Sequence, residues 1–407
     1  WRVMKRSILW FRGKDLRLAD HVGVQRALLS DEVIPLFVLD PYFFEPQRAQ
    51  ELPHRMQYLL DSLEELSKEI AACGSELIIC RGRSIDVIPQ LADQWNVDDV
   101  IAQGWTEAFG RQRDHIIATR LGCSFTLVEG ETLVMPGTIR TQNDSSYSVF
   151  TPFWKRFLAQ ERIDTPLPLP TKLPPLPQAL KGNFERIPSL SDLGITRNPH
   201  VVEAGITPGM RRMRTFLNGP AANYAQARNR PDQDGTSRLG PDLKFGTLSV
   251  RQVYTEANAE GLKSHTGSFR RQLIWRDFAH DLMWNHPELL EQPFRKSFVG
   301  FPWIGREDHW RAWVDGTTGY PIVDAAARQL RSTGYIPNRV RMIAASFLTK
   351  HLLIDYHRGE AHYMKWLTDG DWIQNNFGWQ WSAGCGCDAQ PYFRVFNPIL
   401  QGKKFDP

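Results

Sequence analysis

A doubly wound parallel α/β (Rossmann-like) unit followed by an all-α unit is the fold that this 407-residue sequence predicts. Three observations carry the prediction. Short apolar runs alternate with helical patterns up to about residue 130, a proline-rich stretch follows, and beyond residue 200 only helical patterns continue.

Taken in order, 7–11 (SILWF), 33–39 (VIPLFVL), 76–80 (ELIIC), 99–102 (DVIA) and 124–128 (SFTLV) read as buried strands. They are apolar runs rather than alternations, as strands covered on both faces require. Helical periodicity fills 54–72, 86–95 and 107–121 between them. Such alternation argues a parallel sheet in a unit spanning 4–130. No G-x-G-x-x-G follows the first strand, so a dinucleotide site of the usual kind is not expected. Residues 131–200 read as a connector, because TPLPLPTKLPPLP within it cannot be helical. The third unit, 201–407, carries helical patterns at 208–218, 249–260, 268–286, 322–333, 338–355 and 359–367.

Composition narrows the function classes. With 42% hydrophobic and 23% charged residues the chain is globular, and no apolar run is long enough to span a bilayer. No secretory pattern opens it. Met4 reads as the natural start and Trp1-Arg2-Val3 as an addition. Cys73, Cys80, Cys123, Cys385 and Cys387 fit a reducing cytoplasm, and a lone Cys-x-Cys pair is a poor metal site, so no metal is expected. Charge is uneven: 201–407 holds 26 Lys+Arg against 20 Asp+Glu, whereas 1–200 holds 23 against 25. That surplus permits nucleic-acid binding by the C-terminal half without demanding it.

Nine of the fourteen tryptophans fall between Trp275 and Trp381. Aliphatic residues fill helical cores with less polar baggage, so the cluster points to an aromatic ligand or to electron transfer. Thr236, Ser237 and Arg238 precede a helix, where hydroxyls, backbone N–H groups and a guanidinium can cradle a pyrophosphate, or simply cap the helix. Gln272 and Trp275, three apart, share a helical face with Arg276 and Phe278 close by. Asp369 and Asp371 near a turn could hold a cation or cap the next helix.

TSRLGP, LIWRDF, TGYPIVDAAARQL, NRVRM and GWQW…DAQPYFRVFNP stand in one order and spacing. With them the chain resembles the DNA photolyase/cryptochrome flavoproteins over its whole length, in pattern nearest to bacterial cyclobutane pyrimidine dimer photolyases. The resemblance implies non-covalent FAD in the helical unit and light-driven repair of DNA by an electron from excited, reduced FAD. Tyr224, Thr236, Ser237, Arg238 and Leu239 would hold the pyrophosphate side. Arg276, Asn338, Arg341, Asp369 and Asp371 would contact ribose and flavin, and Asn375 would face the flavin's reactive ring nitrogen. Trp275 and Trp381 would stack on a flipped dimer, with Met342 and Gln272 alongside. Arg228, Arg339, Arg394, Lys403 and Lys404 are implied at DNA phosphates. Trp379, Tyr356 and Trp303 would relay electrons to the flavin. A monomer acting on damaged DNA, without a membrane partner, is expected.

The chain also departs from the family's pattern. Gln272 stands where cyclobutane-type members usually carry Glu. The histidines of 6-4 repair would fall at Asn338 and Met342, neither of which can donate a proton, so cyclobutane repair is favoured. Tyr356 replaces the middle tryptophan of the relay and must lose a proton on oxidation. Trp313, Trp366 and Trp372 offer detours. Gly240 replaces a serine, and WFRGKDLRLAD is one residue longer than the usual first motif. Phe109 and Gly110 lie where folate-binding members have Asn-Glu, and FGRQRD points to a deazaflavin or flavin antenna instead. Pro407 falls short of the family's usual C-terminal helices, so a truncated or disordered end is expected. A cryptochrome-type photosensor is the nearest alternative; a flavin oxidoreductase with no DNA role would need a nicotinamide site, for which no glycine fingerprint exists.

Overall fold

The computed structural model describes residues 4–160, 163–182, 184–389, 391 and 394–407. Trp1-Arg2-Val3, and Gln390, Tyr392 and Phe393 of the last motif, lie outside the described residues. Five parallel strands, β1 (Arg6–Phe11), β2 (Glu32–Leu39), β3 (Ile78–Arg81), β4 (Asp99–Gln103) and β5 (Ser124–Val128), pair in the order β3-β2-β1-β4-β5. The register sets Ile8 against both Ile34 and Val100. Ile8 and Trp10 join one buried cluster and Leu9 and Phe11 another, so β1 is covered on both faces. Around the sheet lie α1 (Val22–Ala27), α2 (Pro53–Ala72), α3 (Ser84–Gln94) and α4 (Ala108–Arg120). Strand order reverses between β1 and β4, which opens a crevice at their C-terminal ends.

Residues 131–200, expected as a connector, do more than connect. Phe150, Phe153 and Phe157, spaced at three and four, form the apolar stripe of α5 (Phe150–Gln160) and enter the core of the helical half. The proline-rich strap then packs back on the α/β side, with Leu173 and Leu176 buried and the Leu173 N–H donating to the Cys73 carbonyl at 3.0 Å.

The helical half comprises α6 (Ile206–Leu217), α7 (Val250–Ala257), α8 (Gly267–Asn285), α9 (Glu307–Asp315), α10 (Pro321–Thr333), α11 (Asn338–Ser346), α12 (Tyr356–Trp366), α13 (Trp372–Ala383) and α14 (Pro398–Phe405). The helix expected over 338–355 stops as α-helix at Ser346 and passes into a π-helical turn, Phe347–His351. The tryptophan-rich run forms α13. Asp371 caps it by accepting from the Gln374 N–H at 2.9 Å, and Gly384 closes it at φ +87°. No helix of the described residues is long and apolar enough to cross a membrane.

Two devices clasp the halves together. Helix α2 buries polar side chains that a solvent-facing helix would expose: His54 reaches the Trp366 carbonyl at 2.7 Å and the Tyr58 hydroxyl donates to Asp242 at 2.8 Å. The second centres on Lys14, in the loop after β1. Its ammonium lies 2.5 Å from Glu107, is hydrogen-bonded to Glu131, and lies 3.5 Å from Asp371. Gly246, at φ +67°, brings the helical half against the Lys14 backbone so closely that any Cβ would collide with it. Burial alone would lower the Lys14 pKa, but the carboxylates of Glu107, Glu131 and Asp371 reverse this and hold it well above its usual value. Burial would raise Glu131, yet Lys14 and then His280 bring it down to about 2.

Removing Lys14 strands carboxylates in a buried site. Lys14→Ala is therefore expected to destabilise the protein by about 3–5 kcal/mol, read from urea unfolding near neutral pH. Because the folded pKa of Glu131 lies below its ordinary 4.5, its contribution is complete above about 4.5 and fades as pH falls toward about 2. The acid sensitivity of the unaltered chain across that window should be blunted in Lys14→Ala.

Candidate functional sites

The helical half holds a half-open cavity of about 340 Å³ bordered by α8, α11, α12 and α13. Asn375, Trp379 and Tyr363 are its buried lining residues; Arg341, Arg228, Met342 and Trp381 are half-buried, and Asn338 is exposed. Gln272 and Trp275 line it together, as their spacing on one helix required. Ala345, Gln374, Phe377, Gly378 and Ser382 complete the lining and were not foreseen. At Gly378 a Cβ would meet nothing within 4 Å, so the bare glycine leaves space on the α13 face.

Two side chains of the lining are fixed in orientation. The Asn375 amide nitrogen donates to the Glu360 carbonyl at 2.9 Å, which leaves its carbonyl oxygen as the acceptor for a ligand N–H. Arg341 donates to the Ile336 carbonyl at 2.8 Å and to Asp369 at 2.9 Å. Burial would lower its pKa, but Asp369 raises it further, so the cation is secure. Trp275 stacks on Phe150 with centroids 3.7 Å apart and planes 12° from parallel. One indole face is thereby covered, and one remains for a ligand.

The hydroxyl-rich loop lies outside the lining of this cavity. Thr236 shares a 2.6 Å hydrogen bond with the Tyr335 hydroxyl, and Ser237 accepts from the Leu239 N–H at 3.4 Å. Arg238, at φ +52°, donates to Asp234 at 2.9 Å and covers the Tyr335 ring. The Leu239 side chain is core, and Tyr224 packs edge-on against Phe216 and Phe269, so these two offer a ligand little beyond backbone and ring edge. Gly240 abuts Asp369: a Cβ there would run into the carboxylate that holds Arg341, which accounts for glycine in place of serine. The loop thus continues from the cavity lining through the Asp369–Arg341 pair.

Two residues expected at the cofactor lie off the lining of this cavity. The Asp371 carboxylate lies 3.5 Å from the Lys14 ammonium, accepts from the Gln374 N–H, and borders a second cavity. The Arg276 guanidinium donates to the Glu131 carbonyl at 2.6 Å, away from the cavity lining. Among the relay residues, Tyr356 and Trp303 pair edge-on at 6.3 Å, whereas the ring pairs of Trp379 are with Tyr363 at 4.9 Å and Trp313 at 6.1 Å. Of the named detours, Trp366 packs on His54 and Trp372 borders the second cavity. Arg339 donates to Asn229 at 2.9 Å and lies over Phe405, which Lys404 also covers. Arg394, Lys403 and Lys404 are exposed.

A second cavity, of about 120 Å³, lies in the crevice at the strand-order reversal. Trp10, Tyr42, Trp105 and Phe109 give it aromatic walls, and Arg12, Arg113 and Lys244 line it with positive charge. Arg113 lies 4.3 Å over Trp105, and Tyr42 stacks with Phe109 at 5.4 Å. Burial, then Arg55 and Lys14, pull Lys244 down to about 7. Sequence reasoning reached only Phe109 and the FGRQRD run here. The usable signal was position, since Trp105 and Glu107 directly follow a strand that ends at the reversal.

Comparison with known proteins agrees with this division. Residues 7–175 match the DNA photolyase family model, and 269–407 match the FAD binding domain of DNA photolyase. The deoxyribodipyrimidine photo-lyase of Synechococcus sp. is 39% identical over 99% of this chain and 86% of its own. A bacterial class III photolyase from Agrobacterium tumefaciens superposes with a TM-score of 0.89 at 32% identity, over 100% of this chain and 85% of that one. An archaeal photolyase from Sulfolobus tokodaii, solved with two FAD molecules, superposes at 0.86 and 30% identity over 99% and 88%.

Gly240→Ser tests the packing at the Asp369–Arg341 pair. Forcing the carboxylate aside should cost about 1–3 kcal/mol, read as a lowered thermal midpoint. A midpoint unchanged within error would show that Asp369 can move freely.

Proposed function

The chain belongs to the DNA photolyase family, and on that premise we propose that it is a light-driven deoxyribodipyrimidine photo-lyase that splits cyclobutane pyrimidine dimers in DNA with reduced FAD as cofactor. The observation that carries this reading is one cavity lined together by half-buried aromatic rings (Trp275, Trp381), a thioether (Met342), the Arg341 cation and the buried Asn375 amide. When bound and reduced, FAD supplies the electron that opens the cyclobutane ring in light and that returns once the ring is open. A cyclobutane ring offers no group for acid–base attack, so the side chains have to position, grip and insulate.

Asn375 accepts a hydrogen bond from a flavin ring N–H, its own amide nitrogen being committed to Glu360. Arg341, neutralised by Asp369, carries a fixed cation in the cavity lining. Thr236, Ser237 and Arg238 would hold the pyrophosphate, and Asn338 would contact the cofactor from the cavity lining. Asp371 acts from behind, as cap of α13. A flipped dimer stacks on the free face of Trp275 and on Trp381. Extrusion costs a few kcal/mol, least for a damaged pair, and stacking returns roughly 1–3 kcal/mol per base, so selection for the lesion follows. Gln272 donates to a pyrimidine carbonyl. Arg228, Arg339, Arg394, Lys403 and Lys404 hold phosphates. Asn338 and Met342 supply no imidazole acid, which argues against 6-4 repair.

The second cavity suits a planar antenna of deazaflavin or flavin type, with Trp105 and the Tyr42–Phe109 pair for its rings and Arg12, Arg113 and Lys244 for its anionic end. Residues 4–130 would be the antenna unit, 131–200 the connection and 201–407 the catalytic unit. Five free cysteines favour a reducing cytoplasm, and both cavities lie within one chain, which favours a monomer.

Illuminating the FAD-loaded, reduced protein with defined oligonucleotides tests the reading. Cyclobutane dimers should be reversed and 6-4 lesions left; the opposite preference would sink it. Arg341→Ala should weaken FAD retention by about 1.5–3 kcal/mol in equilibrium dialysis. Trp275→Ala should cost about 1–3 kcal/mol on dimer-containing DNA and little on undamaged DNA. Arg394→Ala should weaken both alike and lower the log–log salt slope by about 0.9.

A further inference from the structure

Resting on the reading above, we propose that the electron that reduces oxidised FAD in light enters along a side row of indoles, Trp379–Trp313–Trp310, and bypasses Tyr356 and Trp303. Trp379 lines the cavity. Its ring meets Trp313 edge-on at 6.1 Å, and Trp313 stacks on Trp310 at 5.6 Å with planes 21° apart. Both separations lie in the range of rings in contact. The Trp313 N–H donates to the Ala344 carbonyl at 3.1 Å, which fixes the middle indole in the row.

Exposure rises along the row. Trp379 and Trp313 are 2% and 3% exposed, and Trp310 is half-buried. A positive hole is expensive in a dry interior and cheaper where water reaches it, so the row runs downhill toward the surface. Arg358 lies 4.3 Å from the Trp310 ring centre and would oppose a hole, but it donates to Glu307 at 2.9 Å, and the pair is close to neutral.

The other route has a chemical obstacle. Tyr356 is 2% exposed, and its hydroxyl has no hydrogen-bond partner among the described residues. An oxidised phenol must give up its proton, and this hydroxyl is hydrogen-bonded to no acceptor among the described residues, although His357 stacks on its ring at 4.0 Å. Burial, then Cys385 and Glu360, hold the phenol far above its usual pKa. An indole keeps its proton while the hole passes through, so Trp313 works where Tyr356 stalls.

The balance closes with an external thiol. One electron leaves Trp379 for light-excited, oxidised FAD; Trp313 refills Trp379, and Trp310 refills Trp313. The Trp310 indole loses its N–H proton to water, and a thiol restores it by giving an electron and a proton, ending as a disulfide after two turnovers.

The test uses the full chain loaded with oxidised FAD, blue light and dithiothreitol, followed by absorbance and electron paramagnetic resonance. Trp310→Phe and Trp313→Phe should each slow flavin reduction by about tenfold or more and remove the tryptophanyl radical, while Tyr356→Phe and Trp303→Phe stay within about twofold. Trp313 is buried and its variant could misfold. Trp310 is not, and circular dichroism of the FAD-free chain should show its helix content kept and the exciton coupling of the stacked pair lost. An unaltered rate in Trp310→Phe, or a greater loss in Tyr356→Phe, overturns the route. Dimer repair by the unaltered chain after chemical reduction reports separately on the underlying photolyase reading: no repair there sinks that reading, whatever the relay variants do.

Discussion

The ammonium of Lys14 joins four pieces of chain through one charge. It comes from the loop after β1, takes Glu107 from the loop after β4 and Glu131 from beyond β5, and reaches Asp371 at the start of α13. The first three belong to the sheet; the fourth begins the helix that carries much of the helical cavity's lining. A buried cation attracts carboxylates because nothing else can replace its hydration; against burial, Lys14 holds Glu131 and Asp371 below their ordinary pKa, while burial keeps Glu107 above its own. The register of the sheet and the placement of α13 are therefore solved together. Through Asp371 this pairing ties the loop after β1 to the start of α13.

Helix α13 then divides its length between two cavities. Asp371 and Trp372 border the crevice at the strand-order reversal, and Gln374, Asn375, Phe377 and Gly378 line the helical cavity. Trp372 and Asn375 are separated by about 4.5 Å of rise along the helix axis. Light gathered in one cavity and chemistry performed in the other would be neighbours across a single turn. Beneath the helix, Asn376 donates to Glu360 at 3.1 Å and Gln380 to the Leu289 carbonyl at 2.9 Å, so the polar residues turned away from the cavity are bonded and hold the helix from behind. Burial raises Glu360 to about 7. Independently of that side chain, the Glu360 backbone carbonyl fixes the Asn375 amide.

Aromatic residues serve here in two distinct ways. Trp275 and Trp381 border open space and offer faces, while Trp313 is enclosed among other rings and the buried Trp379 connects them to the cavity. Composition alone cannot separate these uses, since a tryptophan reads the same in either. Burial, and the identity of the ring next door, decide between platform and relay.

The sequence by itself determined the layered architecture, because apolar runs of strand length and helical stripes report local periodicity whatever surrounds them. Spacing alone also set Gln272 and Trp275 on one helix face, whereas the roles of those two and of Asn338 and Met342 are implied by the family resemblance. The helix Phe150–Gln160 was legible too, in the Phe150, Phe153, Phe157 stripe, but the prolines after it masked the signal. Tertiary structure decided the rest. Whether Asp371 faces a cofactor or Lys14, whether Arg276 points into the cavity or toward Glu131, and whether Trp379 meets Tyr356 or Trp313 all depend on residues distant in sequence. Electrostatic pairing in a buried site is set by which charges the fold brings within a few ångströms, and no local pattern encodes that distance.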